Sequence, residues 1–380
     1  MKKNILKYVD LGSVGFANGI SVFLGGLFWL YLATLLETEG YGQLSYILAF
    51  AGTAVVISNL GSHITITVNT AKTKIIQPSL YILPITVSII SATLLFLINQ
   101  SPFVIIYVVG SVITTLYLYT LLGLKSYKKY ARAIIIEEIL EIILAVSLYH
   151  LLGINGIVLG IGIAHLIFAY PLYQYFKNNK INISIIKSTI NLSLHSYSLF
   201  LSRTIALVSD KIIILPLVGY TAVGNYHLAI QILLLMNVIP LTVYQYILPH
   251  ESTGKNNTKL KKITILISII LSMLGFFIVP NFISYFLPKF ESTIEILPTI
   301  SLAIVPMTIT LMSISKFLGV EKSKHVLISS TLFSIFYFVG IQFIIPEVGI
   351  IGAAYSIVLS YTIQSIYLII ANKVVFKSFV

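Results

Sequence analysis

Apolar runs of about 20 residues follow one another along nearly the whole chain, separated by short polar connections. An α-helix of that length, rising 1.5 Å per residue, crosses the roughly 30 Å hydrocarbon layer of a bilayer. Few folds can absorb such a chain. In hydrocarbon every backbone N–H and C=O must be paired internally, so repeated runs of this kind become a bundle of helices. Charged residues are 9% of the total, whereas a soluble domain carries roughly 25%. The expected fold class is therefore an all-α integral membrane protein. No stretch is left over for a sizeable soluble domain. The absence of cysteine excludes disulfides and thiolate metal sites. Lys2, Lys3 and Lys7 precede the first run, which has no A-x-A cleavage site, so it reads as a retained helix and not a signal peptide.

The chain divides into twelve spans, near 11–35, 44–69, 78–98, 102–124, 131–152, 154–176, 189–218, 222–248, 262–287, 293–318, 325–345 and 349–372. Charge tests the count. Cytoplasmic connections of a membrane protein are rich in Lys and Arg. Of the 24 basic residues, all but Lys289, Arg203 and Lys211 fall in alternate connections or at the two termini. Glu37, Glu39, Glu291, Glu295 and Glu347 fall in the others. A multi-pass protein of the cytoplasmic membrane with both termini in the cytoplasm is expected. The net charge of +12 then reflects orientation and contact with anionic membrane lipids; no nucleic-acid partner is expected.

The chain also repeats itself. Glu39-Gly-Tyr-Gly42-Gln-Leu-Ser-Tyr46 follows the first span, and Thr221-Ala-Val-Gly224-Asn-Tyr-His-Leu228 follows the seventh. Gly153-Ile-Asn-Gly156 precedes the sixth, and Gly349-Ile-Ile-Gly352 the twelfth. Two halves of six helices are expected, 1–180 and 181–380. Six is even, so both halves start on the same side and are related by an axis along the membrane normal, with substrate bound between them.

The seventh span carries Arg203, Asp210 and Lys211. Charges at bilayer depth are costly unless they face a partner or a wet cavity. Arg203 and Asp210 return to nearly the same helix face, about 10 Å apart along the axis. With His195, they read as one wall of a water-accessible cavity; the alternative is a buried Arg–Asp pair tying helices together. Neighbours on a helix point apart, so Asp210 is expected to pair with a residue on another helix in preference to Lys211, while neutralising Arg203 or Lys211 in the absence of substrate stays open. Asp210 is assigned charge balancing or binding of a coupling ion. Glu137, Glu138 and Glu141 begin the fifth span; they either pair with Lys128, Lys129 and Arg132, or form a carboxylate cluster, with Glu137 and Glu141 on one face, that gates the cavity from inside or binds a coupling cation. Asn18, Asn59, His63, His227 and Gln231 are candidate polar groups lining a cavity, with helix–helix hydrogen bonds as the alternative. No His pair has metal-ligand spacing, so no metal site is expected. There is no Walker A, G-x-S-x-G or H-E-x-x-H motif. A transporter without a nucleotide site would draw on an ion, potential or substrate gradient. No cofactor is expected beyond a coupling Na+ or H+.

Four segments together resemble a known family. Leu32-Ala-Thr-Leu-Leu-Glu-Thr-Glu-Gly-Tyr-Gly-Gln-Leu-Ser-Tyr46 resembles the signature after the first helix of polysaccharide flippases. Asp210-Lys-Ile-Ile-Ile-Leu and Val223-Gly-Asn-Tyr-His-Leu-Ala229 resemble their "DKIIL … VGxYxxA" pattern, and Gly349-Ile-Ile-Gly-Ala-Ala354 their "GxxGAA". The resemblance is to the Wzx-like branch of the multidrug/oligosaccharidyl-lipid/polysaccharide (MOP) exporter superfamily, over about residues 10–370. Two positions depart: Thr34 stands where the family often has Arg, and the length of 380 residues leaves no accessory helices. The resemblance implies two pseudo-symmetric six-helix bundles around a central cavity of alternating access. It implies no enzyme but a flippase moving polyprenyl-diphosphate-linked oligosaccharide to the outer leaflet, beside other glycan-assembly membrane proteins. Moving a diphosphate through an apolar slab requires a preorganised cation. Arg203 is the first candidate, with Lys211 and His195 beside it. The alternatives are a small-molecule or multidrug antiporter of the same superfamily, and, further off, a membrane glycan polymerase or transferase, which would want a large outer loop.

Orientation is directly testable. Reporter tags inserted beside Lys128 and Lys259 should be cytoplasmic and one at Asn99 external; labelling of the first two from outside sealed cells would overturn the topology.

Overall fold

The computed structural model describes the backbone of residues 2–377 apart from 74, 99–100, 180, 183, 252–256 and 321. Side chains are described for these residues except 2–14, 16, 73, 188, 190–192, 194–196, 198–200, 202–203, 205, 207, 249 and 376–377. Sixteen helices carry the described chain: α1 (Lys2–Leu35), α2 (Thr38–Asn59), α3 (Ser62–Thr73), α4 (Ser79–Leu97), α5 (Phe103–Gly123), α6 (Tyr127–Leu152), α7 (Ile154–Leu166), α8 (Ala169–Asn178), α9 (Ser184–Met236), α10 (Val238–Glu251), α11 (Thr258–Phe277), α12 (Val279–Phe286), α13 (Glu291–Ser301), α14 (Ile304–Gly319), α15 (Ser323–Val348) and α16 (Ile351–Lys377).

The helices outnumber the expected spans because several spans are broken. Leu60 and Gly61 take positive φ (46° and 71°) between α2 and α3. α13 and α14 together make one apolar span bent by 45°. In the opposite sense, α9 is two helices joined across Gly219, whose φ of 78° and ψ of 173° are not helical. Among the described residues, nine helices are long and apolar enough to cross a membrane, and the bent pair makes a tenth. α6 carries three carboxylates within its apolar run.

Two compact units emerge from the packing: one of Met1–Ser21 with Ile47–Ser209, the other of Val22–Tyr46 with Asp210–Val380. These group residues by contact, whereas the halves 1–180 and 181–380 are a proposal about repetition along the chain. In the first unit, Ile66, Leu80, Tyr81, Val112, Leu116 and Leu172 form one buried cluster, and Leu121, Tyr130, Ala133, Ile134 and Phe168 another. In the second, Ile314, Phe317, Val326, Leu368 and Ala371 do the same. Many buried hydroxyls are satisfied within their own helices: Ser58 bonds Ala54 O at 2.6 Å, Thr120 bonds Leu116 O at 2.7 Å and Ser360 bonds Ser356 O at 2.6 Å. That pattern removes the cost of a bare hydroxyl in an apolar interior.

Both repeated glycine motifs have a steric reason. Gly153 and Gly349 have nearly the same backbone (φ 60°, ψ −141° and φ 73°, ψ −159°), a region open essentially to glycine. Each lets a helix double back on its predecessor, α7 on α6 and α16 on α15. The other pair is more telling. A Cβ on Gly42 would lie 2.0 Å from Tyr220 O, and a Cβ on Gly224 would lie 2.1 Å from Thr38 O. Tyr220 precedes Gly224 by the same four positions that separate Thr38 from Gly42. Each motif therefore packs its glycine on the first turn of the other, reciprocally, as self-complementary contacts about a two-fold do.

Substitutions at this contact should disturb packing and little else. Gly42→Ala and Gly224→Ala should each cost about 1–3 kcal/mol through backbone displacement, and the double variant less than the sum because the sites touch. Thermal unfolding of the purified variants in detergent measures both quantities.

Candidate functional site

The second unit buries an ion pair. Asp210 is fully buried and Lys211 is 5% exposed. The Lys211 stem turns back, so that Nζ stands 2.7 Å from Asp210 Oδ1. The backbone N–H of Lys211 also donates to Oδ1, at 2.8 Å. On the other side, Oδ2 lies 3.0 Å from the hydroxyls of both Tyr226 and Tyr337, which also contact each other, so two hydroxyl hydrogens are shared among three oxygen contacts. The ammonium lies 5.8 Å from the Tyr226 ring centre. Asp210 and Lys211 come from α9 ahead of the Gly219 kink, Tyr226 from α9 beyond it, and Tyr337 from α15. The expectation that Asp210 would pair with another helix in preference to Lys211 is corrected here. Cβ directions diverge between neighbours, but four methylenes of lysine are long enough to bring the ammonium round, and burial leaves the carboxylate as its compensation.

Next to this pair stands an aromatic and imidazole cluster. The His227 ring lies edge-on to Trp29 at 4.6 Å and 5.3 Å from Tyr41. Its Nε2 is 3.2 Å from Gln231 Nε2, and its Nδ1 is buried without a hydrogen-bond partner. Tyr41 donates to Trp29 O at 3.2 Å and meets Phe290 edge-on at 5.4 Å. Two candidates, His227 and Gln231, are thus brought together. Trp29, Tyr41, Tyr226 and Tyr337 were missed by sequence reasoning. Trp29 is the single tryptophan of the chain, and Tyr41 and Tyr226 sit inside the two repeated motifs; these were available signals. Tyr337 had none.

The first unit holds an acidic cluster on α6. Glu137 Oε1 is 2.6 Å from His165 Nδ1 of α7. Ser21 of α1 donates to Glu138 Oε2 at 2.5 Å. Glu141 is within electrostatic reach of His165, Glu137 and Glu138. Tyr107 of α5 presents its ring edge-on to His165 at 5.7 Å, and Tyr130 donates to Asn18 Oδ1 at 3.2 Å. Lys128, Lys129 and Arg132 are exposed while Glu137 is buried, so the partners of Glu137 and Glu138 are His165 and Ser21. Asn59 and His63 flank the α2–α3 break. Asn59 donates to Val55 O at 2.9 Å with its Oδ1 buried and unpartnered, and His63 lies against Tyr119 at 5.1 Å. Both are buried. Arg203 and His195 belong to α9, but their side chains lie outside the described residues. Among the described residues no group of three His, Asp or Glu is placed to hold a metal ion.

Known structures share this architecture. One is an inward-facing multidrug-resistance MATE-family transporter of the MOP superfamily, with TM-score 0.74, 16% identity and 98% of each chain covered. Another is the lipid II flippase MurJ in an inward closed conformation, with TM-score 0.66, 15% identity, and 95% of this chain and 87% of that one covered. A third is a MOP-superfamily transporter from Pyrococcus furiosus, with TM-score 0.60, 13% identity, and 98% and 94% covered. The chain has the MOP transporter fold. No protein-family model and no curated protein matches the sequence. Within the MOP fold, the Asp210 and Glu137 clusters are held by separate compact units.

The buried pair makes a sharp stability prediction. Asp210→Asn removes the carboxylate from a buried ammonium and should cost about 3–5 kcal/mol, whereas Asp210→Asn with Lys211→Met should recover most of it. Tyr337→Phe should cost about 1–3 kcal/mol. Unfolding midpoints in detergent check all three.

Proposed function

We propose that the protein is a Wzx-like flippase that moves polyprenyl-diphosphate-linked oligosaccharide across the cytoplasmic membrane by alternating access. The observation that carries this reading is the meeting of its family-like motifs. Asp210-Lys211 of one motif and Tyr226 of the next close on each other around one carboxylate, while Gly42 and Gly224 of the first and third interlock. The fold shared with MurJ, which is a lipid II flippase, supports it. So does the state of Asp210: a carboxylate already neutralised by Lys211 is a poor anchor for a cationic drug. In the proposed cycle Arg203 contacts the diphosphate, where its planar fork of donors suits phosphate oxygens. His195 is a second candidate for the diphosphate and Lys211 a third, once it leaves Asp210. Asn18, Asn59 and His63 in the first unit, and His227 and Gln231 in the second, are the candidate partners of sugar hydroxyls. Both termini are cytoplasmic, and the substrate is handed over among other glycan-assembly membrane proteins.

Glu137 and Glu141 serve the energy coupling. The Glu137–His165 pair, with Glu141 and Glu138 near it, can exchange a proton or hold Na+ in place of the imidazolium. That same cluster favours a second reading, an ion-coupled multidrug antiporter, since the fold is also that of MATE-family transporters.

Two measurements made side by side separate the readings. Delivery of lipid-linked sugar to the outer face should fall at least about tenfold in Arg203→Ala, with partial activity in Arg203→Lys, which keeps charge but loses the donor fork. Glu137→Gln should abolish the gradient dependence of the same assay. Dye efflux sensitive to Glu137→Gln, with sugar delivery intact in a well-expressed Arg203→Ala variant, would instead establish the antiporter.

A further inference from the structure

The second unit contains a cavity of about 460 Å³ that neither charged cluster uses. It lies where the ends of α10, α11, α14 and α16 meet, and its wall includes Glu251, Lys261, Ser313, Lys316 and Asn372. Its size falls within the range of about 300–1,000 Å³ typical of small-molecule sites. Lys261 Nζ is 2.9 Å from Glu251 Oε1 and donates to Met312 O at 3.0 Å. Lys316 Nζ donates to Asn372 Oδ1 at 2.8 Å. The side chains of Lys261 and Glu251 are only 16% and 12% exposed, and Lys316 is within electrostatic reach of both. Two ammonium groups and one carboxylate therefore share the wall of a partly open cavity.

The geometry points to a binding site for a phosphate-ester anion, with the anionic head group of a membrane phospholipid as its occupant. The two neighbouring ammonium groups repel each other, and an anion bound against both offsets that repulsion. Lysine binds phosphate as a compact point charge. The Ser313 hydroxyl and the Asn372 amide add neutral hydrogen-bonding groups beside it. Glu251 is placed to accept from a head-group hydroxyl. Ile265, Met312 and Val320 on the same wall supply an apolar surface for the glycerol and the first methylenes. The surrounding helix ends also carry Lys259, Lys262, Lys322 and Lys324. Basic pockets between transmembrane helices at a lysine-rich membrane face suit anionic head groups. The site stands independently of the transport reading, because none of its residues belongs to the proposed substrate or coupling groups.

The test uses the full-length protein in nanodiscs of phosphatidylcholine, with or without phosphatidylglycerol. Native mass spectrometry measures phosphatidylglycerol retained per chain, and thermal unfolding measures stabilisation. The wild type should retain the lipid and unfold at a higher temperature. Lys261→Gln with Lys316→Gln should weaken retention on the order of tenfold or more. Glu251→Gln, which removes the competing carboxylate, should strengthen it, a change of sign that mere damage to the fold would not give. Lys262→Gln, exposed and outside the cavity, should change nothing. Inorganic phosphate added to phosphatidylcholine discs separates the sources. Stabilisation by phosphate that the paired lysine variant abolishes, with no further gain from phosphatidylglycerol, supports the same site with a soluble occupant. If the paired variant does not fold, Lys316→Gln and Glu251→Gln give the same opposite-signed comparison. Equal retention in wild type and lysine variants without a phosphate response, or an equal loss in Lys262→Gln, overturns the proposal.

Discussion

Water is missing from the space this chain occupies, and its structure follows from that. A backbone polar group in hydrocarbon has no partner but another backbone group, so the chain winds into helices. The same pressure acts on side chains. Serine and threonine hydroxyls return to carbonyls one turn earlier, as Ser58, Thr308 and Ser356 do. Asp210 gathers a lysine ammonium, a backbone N–H and two tyrosine hydroxyls on its two oxygens. A carboxylate in water would need none of them. Here each donor offsets part of a desolvation cost of several kcal/mol.

Without a solvent-driven force between helices, association depends on close approach and shape. Glycine supplies the closest approach. Gly42 and Gly224 let two helix starts interlock with carbonyls of each other's first turns about 2 Å from where a Cβ would stand. Gly110 and Gly162 do the same inside the first unit, where a Cβ on Gly110 would stand 2.7 Å from Gly162 O. Larger apolar side chains then fill what remains, as Phe317, Val326 and Leu368 do in the second unit.

The two charged clusters differ in chemistry. Around Asp210 the charges cancel, and Lys211, Tyr226 and Tyr337 belong with it to the second unit. Around Glu137 three carboxylates share one imidazole, Ser21 and a tyrosine ring. The first arrangement suits a held geometry, the second an exchange of protons or cations. That contrast is the physical basis for proposing charge balance at Asp210 and coupling at Glu137 and Glu141.

Much of the fold was legible in the sequence because the bilayer imposes a one-dimensional rule: length and apolarity mark each span. The paired Gly153 and Gly349 were legible because only glycine takes their backbone. The sequence by itself also marked Asp210 and Lys211 as costly and hence worth explaining. Only the tertiary structure decided their partners. Helix periodicity fixes which residues share a face, but not which helix that face meets. His165 reaches Glu137 because α7 folds back on α6. Tyr337 reaches Asp210 because α15 packs near α9, although the two residues are 127 positions apart. Lys211 turned towards its neighbour against the helical rule because a flexible stem in a dry interior follows the strongest available charge.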